Sequence, residues 1–111
     1  MIRLQVAKDS GHIVRFSVDG HAGYGTYGHD IVCAAVSALV ISSINGLALH
    51  AGIEPKCNQK EGHIDCHVNS NESWDNLKWA VVDGILKTMV SGLESIKDQY
   101  PGSISITVEN V

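Results

Sequence analysis

A histidine and a cysteine flank a glycine-rich segment near the start of this chain. His21 follows Gly20, and Cys33 follows the tripeptide Asp30-Ile31-Val32, with further glycines between the two. A thiolate attacks carbonyl carbons readily, and a histidine can take up the thiol proton and later return it to a leaving group. The two side chains and the segment between them therefore indicate a thiol nucleophile that hydrolyses its substrate, with the peptide bond as the first candidate.

The cysteine lies where a helix is expected to begin. Asp30 is a good N-cap, and the apolar residues after it predict a helix from 31 to about 51 that Gly52 ends. Cys33 is then the third helical residue, beside unpaired backbone amides and the positive end of the helix dipole, where thiols ionise more readily. We expect those amides, together with the amides of the glycine-rich segment, to form an oxyanion hole.

Three other side chains near the pair bear on this chemistry. His21 is the expected general base, and His29 is a rival base because it is closer to Cys33 in sequence. Since His29 precedes the cap, its side chain is expected to point away. Ser37 lies one turn beyond Cys33 on the same helix face. Asp30 positions the helix end, but its negative charge opposes a thiolate unless it pairs with a histidine.

Interpretations without catalysis stay open on the residues alone. A cysteine in an apolar helix is more often a buried core thiol, and His21 would then be a turn residue. The chain could also be a module that binds a peptide without chemistry. A thiol redox switch at Cys33 is a further alternative, although no resolving cysteine lies near it in the sequence.

One long segment resembles the signature of the bacterial ribosomal-processing cysteine protease family: Gly20-His21-Ala22, then Gly25-x-Tyr27-Gly28-His29-Asp30-Ile31-Val32-Cys33-Ala34. Chain length and element order are similar over nearly the whole chain. The resemblance implies a His–Cys dyad formed by His21 and Cys33, with Asp30 and Ser37 at the other site positions of the family. It implies no metal and no organic cofactor.

The same resemblance implies a function. Members of the family remove a short N-terminal extension from a protein of the large ribosomal subunit, after an aromatic residue or leucine and before a small residue. They are homodimers, and a loop over the site moves when substrate binds. In this chain the loop comprises Gly20, Ala22, Gly23, Gly25, Gly28 and His29. We therefore expect a cytoplasmic, homodimeric cysteine endopeptidase whose partner is the N-terminal peptide of a ribosomal protein.

The elements that must position these residues predict one α+β cysteine-peptidase domain over residues 1–111. The order ββαββαβ places two helices on one face of a mixed, five-stranded sheet. Strands are predicted at 1–8, 12–19, 55–60, 63–68 and 103–108, and helices at 31–51 and about 73–99. Asn71 or Ser73 is the expected cap of the second helix.

Periodicity also predicts which side chains are buried. Alternation in the second strand places Phe16 and Val18 on one side, with Val14, and Ile13 on the other side, with Arg15. The first helix is apolar nearly all round, which predicts burial on more than one side, against a sheet and a helix or in a subunit interface. The apolar stripe of the second helix is expected to be Trp74, Leu77, Val81, Ile85, Met89, Leu93 and Ile96, with Gly84 and Gly92 allowing close approach of a neighbour.

Composition narrows the partners and the compartment. The net charge of −4, without a basic cluster, argues against nucleic acid as the main partner. Polar residues interrupt the apolar stretch 31–51, so a core helix is expected there and not a membrane span. The N-terminus lacks the layout of a signal peptide, and three cysteines without an export signal predict free thiols in the cytoplasm.

Two competing motifs carry less weight. Gly23-x-Gly25-x-x-Gly28 has the spacing of a dinucleotide loop, but Asp30 would put a carboxylate where a pyrophosphate must bind. A metal site formed by Cys57, His63, Cys66 and His67 is disfavoured, because neighbouring strand residues point to opposite sides. The predicted hairpin instead places Cys57 opposite Cys66 as paired core thiols.

Overall fold

The structure, a computed structural model, describes residues 1–25, 30–70 and 73–111. Five strands form one sheet in the spatial order β3-β4-β2-β1-β5, in which β1 and β5 are parallel and the other neighbours antiparallel. The predicted fold class and element order are confirmed. The elements are β1 (Ile2–Asp9), β2 (His12–Asp19), α1 (Ile31–Ala51), β3 (Lys56–Lys60), β4 (His63–His67), α2 (Asn76–Gln99) and β5 (Ile104–Asn110).

Both helices cover one face of the sheet and enclose an aliphatic core. In β1, Ile2, Leu4 and Val6 are buried, whereas the alternate residues Arg3 and Gln5 face solvent. This period-two pattern is what a half-covered sheet requires. The helices contribute two stripes to the same core: Val32, Val36, Val40 and Leu47 from α1, and Val82, Leu86, Met89 and Leu93 from α2.

The first helix buries one face and leaves an apolar face exposed. Ile31 is 62% exposed and Leu49 is 77% exposed, so nothing covers this face within one chain. Burial of the face in a subunit interface, one of the two predicted alternatives, stays a prediction. Because the helix is apolar nearly all round, its sequence could not indicate which face would pack. Among the described residues, α1 is also long and apolar enough to cross a membrane, a property that core helices of soluble proteins share.

A β-bulge changes which residues of β2 are buried. Ala7 pairs with Arg15 and Lys8 pairs with Ile13, so Val14 is the additional residue between them. Ile13 is therefore buried with Phe16, and its predicted placement on the side of Arg15 is wrong. Strict alternation fails at a bulge, because one extra residue reverses the phase of the pleat.

The second helix begins later than predicted. Asp75 is its N-cap and accepts a hydrogen bond from the backbone amide of Lys78, so Ser73 precedes the helix. Asn71, the other predicted cap, lies outside the described residues. Leu77 belongs to the first turn and is 74% exposed, which contradicts its predicted place in the buried stripe. An aspartate two residues further along the chain thus supplied the stronger cap.

Close helix packing occurs at one of the two predicted glycines. A Cβ atom on Gly92 would lie 2.5 Å from Cδ2 of Leu39, so α1 and α2 approach each other at this point. A Cβ atom on Gly84 would meet nothing within 4 Å, and the prediction is wrong there. Gly46 of α1 instead faces the side chain of Ile85.

The second hairpin has the predicted register and an unpredicted bond. Cys57 and Cys66 lie directly opposite each other in β3 and β4, and the structure joins them in a disulfide. The expectation of three free thiols is therefore wrong, and so is the core position of Cys57, which is exposed. Cys33 is the free cysteine. The disfavoured metal site consequently lacks both of its thiolate ligands.

Candidate active site

The glycine at the end of β2 directs the chain toward the site. Gly20 has a φ of +98°, and a Cβ atom there would lie 2.5 Å from the backbone oxygen of Met1. Both the left-handed backbone and the close approach require glycine. The Gly20 amide donates to the carbonyl of Gly62 in the β3–β4 turn at 2.9 Å. The next residue, His21, is thereby placed beside that turn.

The structure brings His21 and Cys33 together without a substrate. Asp30 is the N-cap of α1, so Cys33 occupies the predicted third helical position. Its sulfur lies 3.9 Å from Nδ1 of His21, within the distance at which a thiol and an imidazole exchange a hydrogen bond. Cys33 is half-buried and His21 is exposed, so a substrate can reach both groups.

The backbone of Ala22 also points at the sulfur. Its amide donates to Sγ of Cys33 at 3.3 Å. The methyl group of Ala22 is 6% exposed and belongs to the core, which orients the amide toward the helix. The sulfur of Cys33 therefore has a backbone donor on the side of the glycine-rich segment.

Asp30 connects the glycine-rich segment to the helix. One carboxylate oxygen, Oδ1, accepts from the amides of Val32 at 2.9 Å and Cys33 at 3.0 Å, and Oδ2 accepts from the amide of Tyr24 at 2.9 Å. These donors, the Cys33 amide foremost, hold the pKa of Asp30 below its ordinary value, although burial opposes them. Asp30 is therefore an ionised clamp between helix and loop.

The clamp corrects the predicted oxyanion hole. The amides of Val32 and Cys33 donate to the Asp30 side chain, and the Ala34 amide donates to the Asp30 carbonyl at 3.0 Å. These first-turn amides are therefore occupied and do not form the expected oxyanion hole. The same occupancy removes the helix N-terminus as a binding place for a pyrophosphate. The Ala22 amide is a loop donor that lies next to the sulfur of Cys33.

A cleft of about 600 Å³ surrounds the two side chains. Its polar lining includes Ser37, which is exposed and whose hydroxyl makes no hydrogen bond within residues 1–25, 30–70 and 73–111. Gly23 and Gly25 of the predicted loop also line it. Gly28 and His29 lie outside the described residues, so the competition between His21 and His29 as base stays a prediction.

Two contributors to the site were not predicted from the sequence. A Cβ atom on Gly62 would lie 3.6 Å from Nε2 of His21, so the second hairpin forms the wall beside the histidine. Tyr24 anchors the loop at its other side, since its hydroxyl donates to the carbonyl of Pro101 at 2.6 Å. Both contacts join segments that are distant in sequence, and only the strand order brings those segments together.

Metal chemistry has no donor set in the described part of the chain. There, no group of three or more histidine, cysteine, aspartate or glutamate side chains converges in a way that could hold an ion. The thiol of Cys33 in the cleft lies beside the imidazole of His21 and the amide of Ala22. Together they can perform nucleophilic attack, proton transfer and stabilisation of a developing negative charge.

Comparison with known proteins agrees with this chemistry. The family model described as cysteine protease Prp matches residues 1–105. A protein of Staphylococcus aureus named ribosomal processing cysteine protease Prp is 32% identical over 98 residues, which cover 88% of this chain and 89% of that protein. A protein of the same name from Bacillus subtilis is 30% identical over 95 residues, 86% of this chain and 85% of its own.

The fold is similar to that of a solved structure as well. The crystal structure of the essential ribosomal processing protease Prp from S. aureus, in complex with a covalently linked product peptide, superposes with a TM-score of 0.84. The match has 31% sequence identity and covers 98% of this chain and 100% of that chain. The similarity therefore extends over the whole sheet and both helices.

Proposed function

The chain belongs to the Prp family of ribosomal-processing cysteine proteases, and from this premise we propose that a His21–Cys33 dyad performs its cleavage reaction. The observation that carries the proposal is the separation of 3.9 Å between Sγ of Cys33 and Nδ1 of His21 in an open cleft. Contacts between catalytic groups are often longer in a free enzyme than in its substrate complex, so this distance suits a pair awaiting substrate.

The first half of the reaction forms a thioester. Nδ1 of His21 takes the proton from the thiol of Cys33, and the Ala22 amide stabilises the resulting thiolate. The sulfur attacks the peptide carbonyl carbon, a C–S bond forms, and the carbonyl electron pair moves to oxygen. The imidazolium then donates its proton to the amine nitrogen as the C–N bond breaks. The amine product leaves, and the acyl group stays on the sulfur.

The second half restores the enzyme. Neutral His21 removes a proton from a water molecule, and the oxygen of that water attacks the thioester carbon. The C–S bond breaks, the carboxylic product leaves, and His21 returns the proton to Cys33. We assign the stabilisation of the oxyanion in both halves to the Ala22 amide, because this donor already lies 3.3 Å from the sulfur.

The substrate that we propose is an N-terminal extension of a large-subunit ribosomal protein. The peptide in the S. aureus structure supports a peptide substrate for this chain, and the names of both relatives support a ribosomal one. The residues around the cut, aromatic or leucine before it and small after it, follow from the resemblance of the segment around His21 and Cys33 to the family signature. Such a substrate also favours a cytoplasmic location.

We propose a homodimer on the basis of the uncovered face of α1. Ile31 and Leu49 are large apolar residues at opposite ends of the helix. Ile31 is 62% exposed and Leu49 is 77% exposed. A soluble protein seldom leaves such a helix face in water, and a second copy would cover it. Sedimentation equilibrium of the wild type and of Leu49→Glu tests this, since the variant should shift the population toward monomer.

Cleavage of a synthetic peptide tests the proposed reaction. The peptide carries the ribosomal N-terminal extension, and mass spectrometry identifies its products. Cys33→Ala and His21→Ala should each abolish turnover while the far-ultraviolet circular dichroism stays unchanged. His67→Ala is the matched histidine control, because His67 is exposed and does not line the cleft. Full turnover by either dyad variant would refute the dyad.

Alkylation separates the enzyme from a peptide-binding module without chemistry. Iodoacetamide should modify Cys33 faster than a small-molecule thiol at neutral pH, and His21→Ala should slow that modification. If Cys33 reacts no faster than the small-molecule thiol and His21→Ala has no effect, the cleft binds peptides without activating the sulfur.

A further inference from the structure

One face of α1 continues from the nucleophile into an apolar part of the cleft. Cys33, Ser37 and Ile41 follow one another at intervals of four residues, which places them on successive turns of the same face. All three line the cleft around His21. The chemistry uses the first, and the third is a large aliphatic side chain that is 38% exposed. An isoleucine half in water inside a substrate cleft has a surface available for binding.

The surroundings of Ile41 favour an apolar ligand group. The same cleft is lined by Val18 and Val36, which are buried, and by Ile64, which is half-buried on β4. An apolar side chain of a bound peptide would shield Ile41 from water, and this burial would not desolvate a charged group. Polar lining residues shortly before Ile64 include Lys60, which lies on the exposed edge strand β3, and His63, whose Nδ1 lies 3.3 Å from Oδ1 of Asp19.

The helix geometry gives the position of that group along a substrate. Ile41 lies eight positions after Cys33, and at a rise of about 1.5 Å per residue the two are about 12 Å apart along the helix. An extended peptide advances about 3.3 Å per residue. For a peptide that runs along α1, the side chain that meets Ile41 therefore belongs to a residue about three or four positions from the scissile carbonyl.

We propose that Ile41 determines specificity for an apolar substrate side chain located three or four residues from the bond that Cys33 attacks. This inference rests on the proposed protease function and adds a recognition position to it. The occupant is a side chain of the extended peptide substrate. The continuity of the helix face from Cys33 through Ser37 to Ile41, within one cleft, carries the assignment.

The test compares peptides and variants in a matched set. The peptides differ by Leu or Ala at the third and fourth positions on either side of the cut. The enzymes are the wild type, Ile41→Ala and Leu77→Ala, the last being an exposed aliphatic residue of α2 that does not line the cleft. Ile41→Ala should lower kcat/KM about fivefold to tenfold for one Leu peptide and leave the Ala peptides unchanged. Leu77→Ala should change neither, and Ile41→Val should restore most of the preference.

Binding measurements separate the failure of this inference from the failure of the proposed function. In the Cys33→Ala background, fluorescence anisotropy gives the Kd of each peptide with and without Ile41→Ala. If the wild type cleaves the peptides but Ile41→Ala alters neither kcat/KM nor Kd, the specificity role is refuted and the protease survives. The same conclusion follows if Ile41→Ala changes only the oligomeric state, because a second copy then covers this residue. If the wild type cleaves no peptide of the set, the proposed protease function is refuted, and the specificity role is refuted with it.

Discussion

The two ends of β2 carry histidines in opposite situations. His12 begins the strand, pairs with Asp83 through Nδ1 at 2.8 Å and stacks on Trp79 with ring centroids 3.9 Å apart. His21 follows the end of the strand, is exposed and lies 3.9 Å from a thiol in an open cleft. The first arrangement holds an imidazole against a carboxylate and a ring, and it connects the β1–β2 hairpin to α2. The second arrangement leaves an imidazole next to a thiol.

The contrast shows that residue type alone does not separate a structural histidine from a proposed catalytic one. Both side chains have a polar partner within reach, but the partner of His12 is the carboxylate of Asp83, a half-buried residue of α2. Oδ1 of Asp83 is buried with no hydrogen-bond donor among the described residues, so His12 is the donor on which this carboxylate depends. The end of β2 at His12 therefore contributes to stability, whereas the end at His21 leaves its imidazole accessible from the cleft.

The largest expected difference concerns the two histidines themselves. His21→Ala should lower kcat/KM for the peptide by about 10³-fold or more, because proton transfer and thiolate formation are both lost. His12→Ala should keep kcat/KM within about twofold and lower the free energy of unfolding by about 1–3 kcal/mol, because Asp83 loses its partner. Steady-state kinetics and urea unfolding of both variants measure this. An inactive, stable His12→Ala variant would contradict the division into a structural end and a site end.

The glycines that precede the two histidines, Gly11 and Gly20, extend the comparison to the backbone. Gly11 and Gly20 both have positive φ, +83° and +98°, but a Cβ atom on Gly11 meets nothing within 4 Å, whereas one on Gly20 lies 2.5 Å from the backbone oxygen of Met1. Gly11→Ala should cost about 1 kcal/mol of unfolding free energy, from backbone strain alone. Gly20→Ala should cost about 3–5 kcal/mol, because a backbone clash adds to the strain.

Activity gives the Gly20 prediction a second measurement. Shifting Gly20 also shifts His21, so Gly20→Ala should lose most peptide cleavage under conditions where circular dichroism shows it folded. Gly11→Ala serves as the control for a glycine turn at the other end of the same strand and should cleave normally. Equal stability of the two variants would show that the backbone at Met1 moves away readily and so relieves the clash with a Cβ atom at position 20.

The local parts of the site could be predicted from the sequence, and the non-local parts could not. Asp30 as cap, Cys33 at the third helical position and Gly52 at the helix end all depend on neighbouring residues, and the structure has each of them. The contact of Gly62 with His21 depends on β4 lying beside β2, which no local pattern reveals.

Errors in the predicted fold have the same origin. The bulge at Val14 reverses the pleat without a Gly or Pro to signal it, so Ile13 was placed on the wrong side. The amides of the first turn of α1 were expected to be available because a helix N-terminus usually leaves them unpaired. Asp30 occupies them, and a carboxylate that serves both helix and loop is visible only when the Tyr24 amide is placed in space.

The smallest expected effect concerns the two aspartate caps. Within the described residues, Asp75 accepts one amide hydrogen bond, from Lys78, whereas Asp30 accepts three, from Val32, Cys33 and Tyr24. Asp75→Ala should cost about 1 kcal/mol or less, as an exposed cap does. Asp30→Ala should lower the urea midpoint more than Asp75→Ala at pH 7, because it releases the loop as well as the helix end.

The pH dependence of stability distinguishes the ionised clamp at Asp30 from a merely polar contact. The pKa of Asp30 is lower in the folded chain than in the unfolded chain, so the unfolded state binds the proton more readily. The resulting stabilisation is complete above the unfolded value of about 3.9 and is lost as the pH falls below it through the folded value. Asp30→Asn should therefore show a shallower fall of the urea midpoint below about pH 4 than the wild type. Parallel curves for the two proteins would mean that the three backbone amides bind a neutral carboxamide as well as they bind the carboxylate, and the loop would then be held by geometry and not by charge.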